Sequence, residues 1–274
     1  MNKLLPLLTA ALLGGFLFSC KNKAEKADTD NTKEIVYTDE LKEWMRLLET
    51  NPDSNGLRFK IATTLDSIRD YKAALSQMDS LIKRDSANYA FAFTKGKIYQ
   101  DAGDTTNAIA YYQKALKIYP APEGMLFLAN LLAETKNPES LNIVQQVKSL
   151  RLGSSDNANC DFIAGVYYAR VDDTTKAIRS LDLALNQDYT LMPAYIEKGL
   201  VYFDRKNYPR ALDIFRFASQ VNHLYADAYY YMARSYEMMG QKDSAILRFQ
   251  QAYSLDNSME EATAGLKRLG ASSK

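Results

Sequence analysis

A single histidine, His223, limits what this 274-residue chain could do by acid–base or nucleophilic chemistry. A Ser-His-Asp or Cys-His arrangement would have to use it, yet no Gly-x-Ser-x-Gly turn or comparable nucleophile setting accompanies it. His223 falls in a turn between two periodic segments and reads as a loop residue. Cysteines and histidines do not pair at metal-ligand spacing, so no structural zinc site is expected, and no Gly-rich phosphate loop occurs. Paired acids stand at Asp172-Asp173 and Glu260-Glu261. Both pairs lie at predicted turns or helix starts, where carboxylates favour caps and the helix dipole. Two carboxylates could in principle serve glycoside hydrolysis, but nothing in their setting points to it. The residues predict a non-catalytic chain with no cofactor and no metal.

The elements that would position any site repeat themselves. Tyr195, Gly199, Tyr202, Ala211, Phe215 and Ala218 are answered, thirty-four residues on, by Tyr229, Ala233, Tyr236, Ala245, Phe249 and Ala252. The first three of each set sit three and four apart, one face of a helix, and the last three repeat that pattern after a polar break at 204–207. Each unit therefore reads as two short amphipathic helices and a turn. Small residues fall where the two helices must approach most closely, and aromatics fill the space between one pair and the next.

This series of large, Gly/Ala, Tyr, Ala, Phe and Ala positions resembles the tetratricopeptide repeat. The resemblance implies an all-α, right-handed α-solenoid of about six helix-turn-helix units at residues 55–259, since one unit cannot bury its apolar face without neighbours. Ala62, Leu65, Ala74 and Met78 mark the first unit, and Gly96, Tyr99, Ala108, Tyr112, Ala115 and Pro120 the second. The third is the most degenerate, with Ala129 and Leu132 recognisable but Leu141 and Gln145 where Ala and an aromatic are expected. A longer loop is expected over 152–159, which holds Gly, Ser, Asp and Asn. Gly165, Tyr168, Ala177, Leu181 and Ala184 restore the register in the fourth. Capping helices are expected at both ends: 39–54, with Leu41, Trp44, Met45 and Leu48 on one side, and 260–274, with Leu266 and Leu269 inward.

Residues 1–20 read as a secretory signal, with Lys3 ahead of an apolar stretch interrupted by Pro6, Gly14 and Gly15. Leu17, Phe18, Ser19 and Cys20 resemble a bacterial lipobox, which implies lipidation of Cys20 and anchorage to a membrane. Residues 21–38 form a polar tether without apolar pattern. The localisation expected is the bacterial cell envelope, lipid-anchored at the outer membrane and facing the periplasm. With the signal removed the chain has 33 basic and 33 acidic residues, and Cys160 as its one cysteine. That neutrality argues against nucleic acid or an anionic membrane face as the main partner, and a lone cysteine excludes an internal disulfide.

In the tetratricopeptide family the first helix of each repeat lines the concave face, and one position points into it. Carried along this chain, that position falls on Phe59, Phe93, Leu126, Phe162, Ile196 and Tyr230, all apolar or aromatic. Four places on come Thr63, Lys97, Asn130, Val166, Leu200 and Arg234. The resemblance implies a groove that takes an extended segment or helix of another envelope protein, with Lys97 and Arg234 orienting its carboxylates; the plainer alternative is that the six pack between neighbouring helices. The expected function is a scaffold or adaptor for an envelope protease, for secretion or for outer-membrane assembly. A lipoprotein binding a glycan or peptidoglycan fragment is the alternative. The clamp of Lys, Asn and Arg by which some members hold a terminal carboxylate does not occur in consecutive units here.

Overall fold

The computed structural model describes residues 35–272, so Cys20 and most of the expected tether lie outside the described residues. Fourteen α-helices and no strand occur among the described residues, all in a unit that begins at Tyr37. They are α1 (Asp39–Thr50), α2 (Asn55–Ser67), α3 (Tyr71–Arg84), α4 (Tyr89–Asp101), α5 (Thr105–Ile118), α6 (Pro122–Glu134) and α7 (Glu139–Ser149), followed by α8 (Ser154–Arg170), α9 (Thr174–Gln187), α10 (Met192–Asp204), α11 (Tyr208–Val221), α12 (Ala226–Met238), α13 (Lys242–Leu255) and α14 (Glu260–Arg268). Helices α2 to α13 form six hairpins. Even-numbered first helices meet their successors, as α6 meets α8, and each odd-numbered second helix packs on its own first helix and on the next.

The turn inside each hairpin is built the same way. Arg69, Gly103, Lys136, Asp172, Lys206 and Gly240 all take positive φ, between 59° and 79°. The next residue's amide then reaches back five places, as in Asp70 to Leu65 and Asn207 to Tyr202, which closes the first helix. That same next residue caps the second helix: Asp70, Asp104, Asp173 and Asn207 accept from the amides of Ala73, Asn107, Lys176 and Arg210. Two adjacent residues thus end one helix and start the other.

The hairpins close because a large side chain of the second helix lies over a residue with almost none on the first. Tyr112 covers Gly96, Leu181 covers Gly165 and Phe215 covers Gly199; a Cβ on Gly96 would stand 2.8 Å from the Tyr112 ring. Tyr112, Leu181, Phe215 and Phe249 are fully buried. Helix α1 closes one end, with Leu41 and Leu48 in the core and Trp44 under the Lys60 ammonium. At the other end α14 buries Ala262 and Leu266 against Phe249.

Two expectations about the third unit are corrected. The buried small, large and small places of its second helix are Ser140, Val144 and Val147; Leu141 is only half-buried and Gln145 is exposed. Ala129 and Ser140, the buried small residues of its two helices, stand eleven apart instead of twelve, with Pro138 just ahead of α7, and this moves the register by one. The loop expected over 152–159 is mostly helix, since α8 starts at Ser154 and is the longest of the fourteen. Gly153, at φ 138°, makes the break, and Ser154, Ser155 and Asp156 are residue types that suit a helix N-terminus. Ala158 and Cys160 then supply the buried face that holds the added turn in place.

Replacing Gly199 by Val should lower stability by about 1–3 kcal/mol, because Phe215 has nowhere to go. Replacing Gly56, which has open space around it, by Ala should be neutral or stabilising. Urea unfolding followed by circular dichroism checks both; equal effects at the two sites would show that the notch does not set the hairpin spacing.

Candidate functional site

The first-helix residues expected to line a groove share a register but differ in exposure. Phe162, Val166 and Ile196 are buried, at 5%, 1% and 6%. Phe59, Phe93, Leu126 and Tyr230 are half-buried. Phe93 lies between Tyr89, 5.5 Å away and stacked, Tyr112 at 5.4 Å and the edge-on Phe127 at 5.2 Å. Tyr230 sits against Tyr231 and Phe249, and its hydroxyl accepts a hydrogen bond from Arg234. In the middle of the unit the row is core, and toward its ends it keeps an open edge. The rings spend most of their surface on one another.

The polar positions are also engaged. Lys97 Nζ donates to Asp101 at 2.6 Å and to Asp66 at 3.4 Å. Arg234 lies 3.6 Å from Glu237 and beside the rings of Phe203 and Tyr230. Asn130 Oδ1 is buried with no hydrogen-bond partner among the described residues, as is Asp66 Oδ1. Thr63 donates back to carbonyls of its own helix, and Leu200 is half-buried. Cys160 is fully buried and burial pushes its thiol up to about 12, so it is no ready nucleophile. His223 is exposed in the turn after α11, and Asp173 serves as a helix cap.

The reading of the sequence missed a charged cluster at Arg170. From α8, this guanidinium donates to Glu134 of α6 at 2.8 Å and to Glu197 of α10 at 2.5 Å, tying three successive first helices together. Glu197 is almost wholly buried, and that burial raises its carboxyl against the opposing pull of Arg170. Burial also raises Asp204, again opposed by Arg170. For Arg170 itself burial works to lower the pKa, and the contacts with Glu197 and Glu134 outweigh it. A small cleft there is bordered by Arg170, Glu197, Val201, Asp204 and Arg205. A signal was available: Asp101, Glu134, Arg170 and Asp204 each stand five places after the small residue of their first helix, one base in a row of acids.

Models of the tetratricopeptide repeat match residues 59–122 and 93–140, and a further one matches 227–256. Those segments carry tetratricopeptide repeats. A TPR repeat-containing protein of Methanocaldococcus jannaschii is 24% identical over 244 residues, which cover 82% of this chain and 42% of the relative. The chain thus spans less than half the length of the curated relative it matches. Among solved structures, a tetratricopeptide repeat protein from Parabacteroides merdae superposes with a TM-score of 0.70 at 15% identity, over 84% of this chain and 91% of that one. PilW, a type IV pilus biogenesis factor, gives 0.59 at 18% identity over 77% and 98%. Yeast Tom70 gives 0.56 at 15% identity over 84% and 57%. At these identities the structural likeness establishes the fold, an α-solenoid of the tetratricopeptide kind, and such repeats form protein-binding scaffolds.

Removing the Arg170 guanidinium leaves Glu197 buried and uncompensated, so Arg170→Ala should cost about 3 kcal/mol near neutral pH. The Glu197 carboxyl, already raised, would rise further, and the folded state would then bind protons more readily than the unfolded one. The loss should accordingly shrink as pH falls from about 7 toward about 5. Urea unfolding at both values checks the sign; a loss that grows on acidification would mean Glu197 carries no buried charge.

Proposed function

We propose that the protein is a non-catalytic adaptor of the bacterial envelope, held to the membrane by a lipid on Cys20 and binding a segment of another envelope protein along its first helices. What supports the docking face is the half-buried row of Phe59, Phe93, Leu126 and Tyr230, flanked by Lys97 and Arg234, whose side chains stay 44% and 36% exposed although each has a carboxylate neighbour. Open apolar edges next to accessible charge suit an amphipathic segment, whose apolar face covers the rings while its acids compete for the two cations. Aromatic rings packed on each other offer few free faces to a sugar, so the protein segment is the better occupant.

Support for the anchor comes from the sequence, where Leu17, Phe18, Ser19 and Cys20 resemble a lipobox. An envelope protease, a secretion or pilus assembly, or outer-membrane assembly would each supply a partner of this kind, and a shared fold chooses none of them.

The test is photo-crosslinking in native membranes with the crosslinker placed at Thr63, Asn130 or Leu200. A discrete partner, mapped by the crosslinked peptide to the first helices and lost in Leu126→Glu, Tyr230→Glu with melting nearly unchanged, is the expected result. Crosslinks that survive the double variant would place docking elsewhere. Cys20→Ala should move the chain from the membrane to the soluble fraction, and retention would remove the lipid anchor from the reading.

A further inference from the structure

The near-neutral net charge conceals a separation of sign between the two layers of helices. The six second helices, α3, α5, α7, α9, α11 and α13, carry twelve basic and five acidic side chains. The six first helices, α2 to α12, carry seven basic and ten acidic ones. Pairing draws on both signs, since Arg84, Lys148 and Lys176 of the second helices are held by Asp53, Asp161 and Asp173. Asp79 of α3 is held by Lys95 of α4, and Asp182 of α9 by Lys198 of α10 at 2.5 Å, so first-helix lysines neutralise second-helix acids. Asp213 is taken by Arg216 of its own helix. Lys72, Lys83, Lys117, Arg179 and Lys242 are exposed on the second helices with no carboxylate partner among the described residues.

The same layer exposes large apolar side chains. Leu183 of α9 and Phe217 of α11 occupy equivalent places, each six residues after the buried alanine of its helix, and Phe217 is 53% exposed. Leu247 of α13 is half exposed as well, and Tyr189 and Leu224 stand open in the turns that follow α9 and α11. Phe217 rests one edge on Tyr195 of α10, 5.6 Å away, and none of these residues takes part in the notch. Arg179 stands four places before Leu183 on α9 and Lys242 five before Leu247 on α13, and a layer that carries unpaired cations and exposed apolar side chains has the composition of a surface that lies on a bilayer, where cations meet headgroup phosphates and apolar tips enter the interface.

We propose that the second-helix layer, from α5 to α13, docks on an anionic phospholipid surface. An acidic protein would satisfy the lysines and arginines but would leave Leu183, Phe217 and Leu247 needing a separate apolar complement; a bilayer answers both. This goes beyond partner binding on the first helices and rests on membrane attachment through Cys20 only for its setting. With the second helices against the lipid, the first helices would face away from it and stay free for a partner.

The experiment is vesicle flotation of the full chain carrying Cys20→Ser, on phosphatidylcholine alone and on phosphatidylcholine with about 30% phosphatidylglycerol. Partition onto the neutral vesicles reports attachment through residues 1–20 and is the reference. The ratio of anionic to neutral partition reports the face. The ratio should be about tenfold or more at low salt and collapse toward one near 0.5 M salt. Lys117→Glu, Arg179→Glu, Lys242→Glu should abolish it with unchanged neutral partition and melting, and Leu183→Ser, Phe217→Ser should reduce it. If the charge reversals unfold the chain, the Gln replacements at the same three positions carry the test. A ratio near one for the unaltered chain, or one that the substitutions do not change, overturns the proposal. So does binding of polyglutamate or of a single-stranded oligonucleotide through the same three side chains without a preference for anionic vesicles.

Discussion

A large side chain lying over a residue that has almost none is the constraint on which the rest of this molecule depends. Phe215 over Gly199, Tyr112 over Gly96 and Leu181 over Gly165 bring first and second helices close enough to make a hairpin. The same rings reach the next unit: Phe215 stacks on Tyr231 of the following first helix at 5.3 Å, and Tyr112 meets Phe127 at 5.6 Å. One side chain therefore closes a unit and joins it to its neighbour. That is how a stack of units, none of which could bury its own apolar face, acquires a continuous core.

Close packing of the first helices has an electrostatic consequence. Charges on their contacting faces cannot all reach water, and burying one unpaired would cost several kcal/mol, on the order of that for any buried ion. Arg170 answers this for Glu134 and Glu197, and Lys97 does so for Asp66 and Asp101. Where the two layers meet, Lys95 and Lys198 are spent on Asp79 and Asp182. The second helices carry twelve basic and five acidic side chains, so their balance is positive although the whole chain is near neutral. Net charge could not reveal this, because it is a sum over both layers.

The third unit shows where reading by period fails. A fixed spacing of twelve from Ala129 points to Leu141 and makes the unit look more degenerate than it is; the spacing here is eleven, and Ser140, Val144 and Val147 fill the expected places. Residues 154–159 look like a loop by composition, yet they form the first turns of α8, because Ser and Asp are as common at a helix start as in a turn. In both cases local residue preferences were ambiguous and burial against neighbouring helices decided between the alternatives.

The all-helical build, the alternation of paired helices and the places of the small residues were determined by the sequence alone. They rest on spacing along one chain, through three- and four-residue contacts and a thirty-four-residue period. Which members of the groove row remain accessible was decided only by the tertiary structure. Phe93 and Phe162 hold equivalent positions, yet Phe93 keeps an open edge while Phe162 is core, in a helix that packs closely on the first helix before it. The charge network was likewise decided in three dimensions. Its links between helices run over 16, 27, 31 and 36 residues, separations that match no turn of a helix and not the period itself, so only the packed stack brings those groups within reach of one another.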